Sequence, residues 1–315
     1  MSISPSGFFR LPNELLLTVA TKLNQRDLAF LSCTCKSNFN LLKPALAGFK
    51  LFDALLDGND DLARQLTEQP FIDLFVLHKG LSLLHVAVAQ GNPSITAWLI
   101  SKSKGLLEVH DGTGQTALMS AVCWKEDNIS KFLIDEGASV NAQDDSGFTA
   151  LYFAAEDGDT STVSQLLEAG ANVLLEDSNG WTALLLAVKE NHVPIAVKLI
   201  TQGAYPRAKN SSEENVLYWA VRNGNMDMVR LLINNGADPK STDTDKDGNT
   251  LLHWAARRRS RDIIRLLVLR GADLRVENSE GVTSLQLIIH YFGNSLANLL
   301  GEPFRNVYES EPLSN

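Results

Sequence analysis

The chain has 315 residues, 44% hydrophobic and 21% charged, with a formal net charge of −9, which is too apolar for general disorder and long enough for about two domains of ~150 residues. No apolar run approaches the ~18 residues that span a bilayer, and the opening Met1-Ser-Ile-Ser-Pro5 lacks the basic and apolar regions of a secretory signal. Three cysteines, Cys33, Cys35 and Cys123, are too few for a disulfide framework, so the expected location is cytoplasmic, nuclear or both.

The first module is basic and short. Residues 1–48 carry Arg10, Lys22, Arg26, Lys36 and Lys43 against Glu14 and Asp27, a balance of +3 that leaves −12 for the remainder. Pro12 suits an entry or first helical turn, and Leu15, Leu16, Val19 and Leu23 then form a helical stripe. A second short helix starts at Asp27 with Leu28 and Leu31, and Phe39, Leu41 and Leu42 lie beyond it. So small a segment buries little apolar surface alone, so it either docks on a partner or caps the remainder of the chain. The ordered set Leu11-Pro12, Glu14-Leu15-Leu16, Leu23, Asp27-Leu28, Leu31, Cys35-Lys36 and Phe39 resembles an F-box. The resemblance implies binding to the Skp-type adaptor of a cullin–RING ubiquitin ligase, with Leu11, Pro12, Leu15, Leu16 and Leu23 facing the adaptor. It places this domain at 6–48.

From there the chain repeats itself. Gly-Ala recurs at Gly137, Gly170, Gly203, Gly236 and Gly271, at intervals of 33, 33, 33 and 35. In phase run Gly114-Gln-Thr-Ala-Leu, Gly147-Phe-Thr-Ala-Leu, Gly180-Trp-Thr-Ala-Leu, Gly248-Asn-Thr-Leu-Leu and Gly281-Val-Thr-Ser-Leu, with degenerate copies at Gly80 and Glu213. Each unit reads as helix–turn–helix and an extended turn. In one of them Leu151, Ala154 and Ala155 line a first helix that Gly158 ends, and Val163, Leu166 and Leu167 line a second that Gly170 ends with a positive φ. Ala87, Ala121, Ala154, Ala187, Ala220 and Ala255 leave room for close helix contact. One such pair cannot bury its apolar face, so neighbours must cover it. The pattern resembles the ankyrin repeat from about Lys79 to Leu300, and Leu51–Leu66 resembles the helical part of one more, capping unit. Lys125 and Arg259 replace the usual inter-helix glycine, which is expected to blur those turns. The expected fold is all-α: a small helical F-box domain, then an ankyrin-repeat solenoid of helix–turn–helix units with β-turn or hairpin loops over 49–301, then a polar tail, 302–315.

Several motifs imitate chemistry. Asp243-Thr-Asp-Lys-Asp-Gly248 looks like half a calcium loop, but Trp254 stands where the bidentate acid belongs. Gly112-Thr-Gly-Gln-Thr-Ala117 imitates a dinucleotide fingerprint without a preceding strand, so it is a repeat turn. His85 and His253 sit in a slot where ankyrin relatives hydrogen-bond neighbouring turns. Cys33 and Cys35 lack the further ligands of a zinc site. No nucleophile–base constellation is recognisable, so the expectation is a non-enzyme without cofactor or metal. Nucleic acid is not an expected partner, because the repeat region is acidic, and a membrane is not expected, because no apolar run is long enough to span one.

Substrate contacts are expected where exposed positions break the repeat. The slot before the repeat Thr holds Leu81, Gln115, Phe148, Trp181, Glu214, Asn249 and Val282, of which Phe148 and Trp181 read as interface anchors. Replacing them by Ala should abolish capture and leave stability nearly unchanged. The ends of the first helices add Trp124 and a basic stretch, Lys189, Arg222, Arg257 and Arg258, suited to an acidic partner segment with an apolar anchor. Arg257-Arg-Arg-Ser-Arg261 imitates a nuclear-import patch but lies inside a repeat. Phe153, Trp219 and Trp254 share a slot with Leu186 and Leu287 and read as core. The function these features support is substrate recognition for an SCF-type ligase, or else scaffolding or sequestration without ligation.

Overall fold

A computed structural model describes residues 47–48, 50–68, 73–75, 77–78, 80–240 and 245–293. The F-box-like segment except its last two positions, with Leu11, Pro12, Leu15, Leu16 and Leu23, lies outside the described residues, as does the tail from 302. The chain divides into two compact units, the boundary falling after Asp145.

In the first unit, residues 50–56 are helical, followed by α1 (Asp60–Thr67), a hairpin of β1 (Leu77–His78) and β2 (Leu81–Ser82), α2 (Leu83–Ala89), α3 (Pro93–Lys102), a 3₁₀ turn (Lys104–Glu108), α4 (Ala117–Cys123) and α5 (Asp127–Asp135). In the hairpin Leu77 pairs with Ser82 and His78 with Leu81, antiparallel. The second unit holds α6 (Ala150–Asp157), α7 (Thr160–Glu168), α8 (Ala183–Lys189), α9 (Val193–Thr201), α10 (Val216–Asn223), α11 (Met226–Asn234), α12 (Leu251–Arg257), α13 (Arg261–Leu269) and α14 (Ser284–Phe292). Within it first helices pack on first helices, α6 on α8 on α10 on α12 on α14, and second helices on second, α7 on α9 on α11 on α13. Ala154, Ala187, Ala220 and Ala255 are fully buried in the first row. The core is the layer between the rows, filled by residues such as Leu184, Leu199, Val221, Leu232 and Ile264.

Each sequence marker has a local task. The repeat Thr is the N-cap of its first helix: Thr116, Thr149, Thr182 and Thr283 accept the N–H of Met119, Tyr152, Leu185 and Gln286. Such caps contribute about 1 kcal/mol each. In the degenerate copy Asn215 takes this role, accepting from Tyr218 N–H at 2.7 Å, while Glu213 adopts the left-handed φ of 61° that the glycines hold elsewhere. The Gly-Ala marker closes the second helices: Ala171, Ala204, Ala237 and Ala272 donate to Leu166, Leu199, Leu232 and Leu267, satisfying carbonyls that the helix end leaves open. Between repeats the hairpin tips ride on each other, Ser178 N–H donating to Ser146 O and Ser211 N–H to Asn179 O. A Cβ at Gly147 would stand 2.9 Å from Asp177 Cα, so only glycine fits there.

Lys125 and Arg259 do not blur their turns. Both take left-handed φ values, 61° and 54°, and keep the turn, as Asn191 does at 65°. The helices on each side outweigh a local strain of order 1 kcal/mol. Lys125→Gly should therefore raise the unfolding free energy by about 1 kcal/mol in denaturant titration, and an unchanged or lower midpoint would contradict this account.

Candidate protein-binding surface

The distinctive chemistry lies along the first helices of the second unit. Trp181, just before α8, lies 5.6 Å from Trp219 of α10, centroid to centroid. Trp219 meets Tyr218 edge-on at 5.3 Å, and Tyr218 meets Trp254 of α12 edge-on at 5.9 Å. Three cations lie against these rings. Lys189 Nζ sits 5.2 Å from Trp181 and 6.0 Å from Trp219. Arg222 stacks on Trp219 at 4.8 Å and Trp254 at 5.3 Å, and Arg257 on Trp254 at 5.7 Å. Each such contact contributes about 0.5–1 kcal/mol where exposed and more where desolvated.

The sequence places these groups together for a simple reason. Trp219 and Arg222, and Trp254 and Arg257, are three residues apart on one helix, which puts them on one face, and the cation in the last turn suits the helix dipole. Stacking of α8, α10 and α12 then lines up the pairs. Lys189 also pairs with Glu190 at 3.3 Å, whereas no carboxylate lies within ion-pair distance of Arg222 or Arg257 among the described residues. Trp219 Nε1 is buried and meets no acceptor there.

Beside the ladder, hairpin tips 212–214 and 245–247, Tyr218, Arg222 and Trp254 line an open cleft of ≈ 690 Å³. Its wall is structured by Asp245, whose carboxylate accepts from Asp247 N–H, Asn249 N–H, Asn249 Nδ2 and Trp254 Nε1. Burial alone would raise the Asp245 pKa, but these donors hold it below the usual carboxylate range. The carboxylate thus serves the turn and anchors Trp254. No cluster of three or more His, Cys, Asp or Glu able to hold a metal occurs among the described residues.

Three sequence expectations need correction. Phe153, Trp219 and Trp254 are half-buried, not core, as is Leu287 in the same slot of the last repeat, whereas Leu186 is fully buried. Asn249 is 1% exposed, not exposed, because its amide bonds both Asp245 oxygens and its own oxygen accepts from Asn278. Phe148 and Trp181 are half-buried, and Phe148 stacks on Tyr152 of its own helix at 4.3 Å and meets Phe153 at 5.7 Å. Their removal therefore carries a stability cost. Of the residues expected to touch a substrate, Trp181, Lys189, Arg222 and Arg257 fall in one ladder. Phe148 belongs to the separate Phe148–Tyr152–Phe153 group, and Arg258 is exposed and makes none of the ladder's ring contacts. Trp124, 65% exposed, is in the first unit. Tyr218 escaped sequence reasoning, and Trp219 and Trp254 were assigned to the core, although their spacing of three or four residues to Arg222 and Arg257 was the available signal.

His85 and His253 act as expected. His85 Nε2 lies 2.9 Å from Gln115 O and Nδ1 2.7 Å from Ser82 Oγ. His253 Nε2 lies 2.9 Å from Val282 O, and its Nδ1 accepts from Thr250 N–H at 3.1 Å. A carbonyl only accepts, so Nε2 carries a proton in both rings. His253 is neutral because its Nδ1 accepts from Thr250 N–H, burial lowers the His85 pKa and favours its neutral form, and both rings tie one repeat to the next.

Stacked helix pairs tied by hairpin loops, with a row of half-buried tryptophans and cations, define a repeat protein that presents a surface for another protein. The family model for ankyrin repeats matches residues 51–144, 138–210 and 194–278. The chain belongs to the ankyrin-repeat family. Among solved structures it is similar to the ankyrin repeat domain of Bcl-3, described as a unique member of the IkappaB protein family: 29% identity, TM-score 0.57, over 67% of this chain and 95% of that one. In all 585 chains of solved structures match, so likeness of fold singles out no partner. Comparison with curated proteins finds no match. No helix among the described residues is long and apolar enough to cross a membrane.

Proposed function

We propose that the protein is a non-catalytic recognition subunit of an SCF-type cullin–RING ubiquitin ligase, in which residues 6–48 bind the Skp-type adaptor and the repeats over 49–301 hold a substrate protein. The observation that carries the recognition half is the ladder from Trp181 to Arg257: half-buried tryptophans, Trp181, Trp219 and Trp254, beside cations are the residue types that anchor protein interfaces. The ligase half rests on the ordered Leu11-Pro12, Leu15-Leu16 and Leu23 pattern. The subunit works by proximity, raising the effective concentration of an acceptor lysine near the conjugating enzyme. It uses no cofactor or metal, engages neither nucleic acid nor membrane, and acts in the cytoplasm or nucleus.

A second reading is a scaffold or sequestering protein acting without ligation, favoured by the fact that the family match covers the repeats alone. Pull-down of the adaptor separates the two. Wild type should retain it, and a variant with Leu11→Ala and Pro12→Ala should lose it while keeping the same thermal midpoint. A wild-type chain that retains no adaptor establishes the second reading.

A further inference from the structure

The ladder is the floor of a valley whose two sides carry opposite charge. Hairpin tips at the N-terminal ends of α10 and α12 supply Glu213, Glu214 and Asp247, with Lys246 among them, and the C-terminal ends supply Arg222 and Arg257. Glu214 is engaged by Asn210 Nδ2, and Glu213 faces Lys209 at 3.5 Å, a solvent-exposed pair of small worth. Helix dipoles favour this polarity, but they do not require the indole and phenol rings laid between the charges.

The separation of the two sides is set by helix length. α10 has 8 residues, about 12 Å at ~1.5 Å per residue, and a helix with its side chains is about 10–12 Å across. Two turns of helix advance about 11 Å, close to the ~8–10 Å between packed neighbours such as α10 and α12. An extended strand sends side chains to only two opposite faces. It can serve the two walls or the floor, not all three. A helix presents three faces at once.

We infer that this valley takes an amphipathic helix of the partner protein, with an aromatic or aliphatic face on the half-buried Trp219 and Trp254, acidic residues along the flank toward Arg222 and Arg257, and basic residues along the flank toward Glu213 and Asp247. The inference rests on the repeats being the partner-holding element and does not depend on the ligase assignment.

The test is selection of a displayed library of random peptides of about 15 residues on the full chain, with no adaptor present. Enriched sequences should carry apolar residues at i, i+3 or i+4 and i+7, with acids on one flank and bases on the other. A synthetic copy with its flank charges exchanged, identical in composition, should bind the unmodified chain at least about tenfold more weakly. Arg222→Glu, which leaves that wall without net charge, should shrink that preference, and Arg257→Gln should weaken the matched peptide alone. Failure to enrich any sequence, an alternating pattern of period two, equal affinity for both peptides, or a face blocked by self-association in sedimentation would each overturn the proposal. Adaptor pull-down reads separately, so loss of either result leaves the other standing.

Discussion

Ala187→Leu should lower the unfolding free energy by about 2–3 kcal/mol, read as a shift of the denaturant midpoint at constant slope. Ala187 is fully buried on α8, which packs against both α6 and α10. Larger side chains there can be housed only by driving neighbouring helices apart, because protein interiors have little free volume. The displacement also reaches the surface. Trp181 borders α8 and Trp219 stands on α10, so their 5.6 Å approach and the shared Lys189 contact depend on the same interhelix distance. Near-ultraviolet dichroism from the tryptophans should weaken along with the midpoint. A midpoint matching wild type would mean that the alanine column is not what sets the spacing.

Acidification should destabilise the protein well before its carboxylates titrate. Burial lowers the pKa of both His85 and His253 below the ordinary imidazole value, more than the carbonyls of Gln115 and Val282 and the nearby Asp111 and Asp245 raise it; His110 and Arg257 add to the lowering. The unfolded chain therefore binds protons at these positions that the folded chain refuses. Their contribution is complete above the unfolded value of about 6.5 and is lost as pH falls through the lower folded value. Asp111 and Asp245 are both held below the ordinary carboxylate value: burial would raise them, but hydrogen bonds from Thr113 and Gln115, and from Asn249, Trp254 and Asp247, prevail. Their stabilisation persists until pH falls below about 4. The thermal midpoint should thus decline between pH 7 and pH 5, and His253→Gln, although less stable at pH 7, should decline less over that interval. A midpoint flat from pH 7 to pH 5 in the wild type would refute the neutral, tied state of both rings.

The repeat architecture was legible because each marker encodes a local necessity. Thr149 and Thr182 cap helices, Gly170 and Gly203 reverse the chain with a positive φ, and Ala154 and Ala187 admit a neighbouring helix. None of these needs knowledge of distant residues. Even the departures kept their places: Glu213 and Lys125 took glycine backbone angles, since the flanking helices fix the turn whatever occupies it. The basic residues Lys189, Arg222 and Arg257 were legible as cations at helix ends for the same reason, but Lys189 and Arg222, expected exposed, are half-buried against the rings and only Arg257 is exposed.

The identity of the aromatic surface was not. Phe153, Leu186, Trp219 and Trp254 share one slot in the repeat, and the slot alone says core. Whether a side chain there is swallowed or left half in water depends on its size against the gap between repeats and on what leans over it, as Trp181 leans toward Trp219 and Arg222 toward Trp254. Asn249 shows the reverse, an exposed slot closed by hydrogen bonds to Asp245 of its own turn and to Asn278 of the next repeat, the latter one that a single repeat does not contain. The sequence by itself determined the repeating unit, its caps and its turns, because short-range hydrogen bonding and backbone sterics act within one unit. Only the tertiary structure decided which rings face outward and which cations lie against them, because that depends on packing between units at a spacing no single repeat specifies.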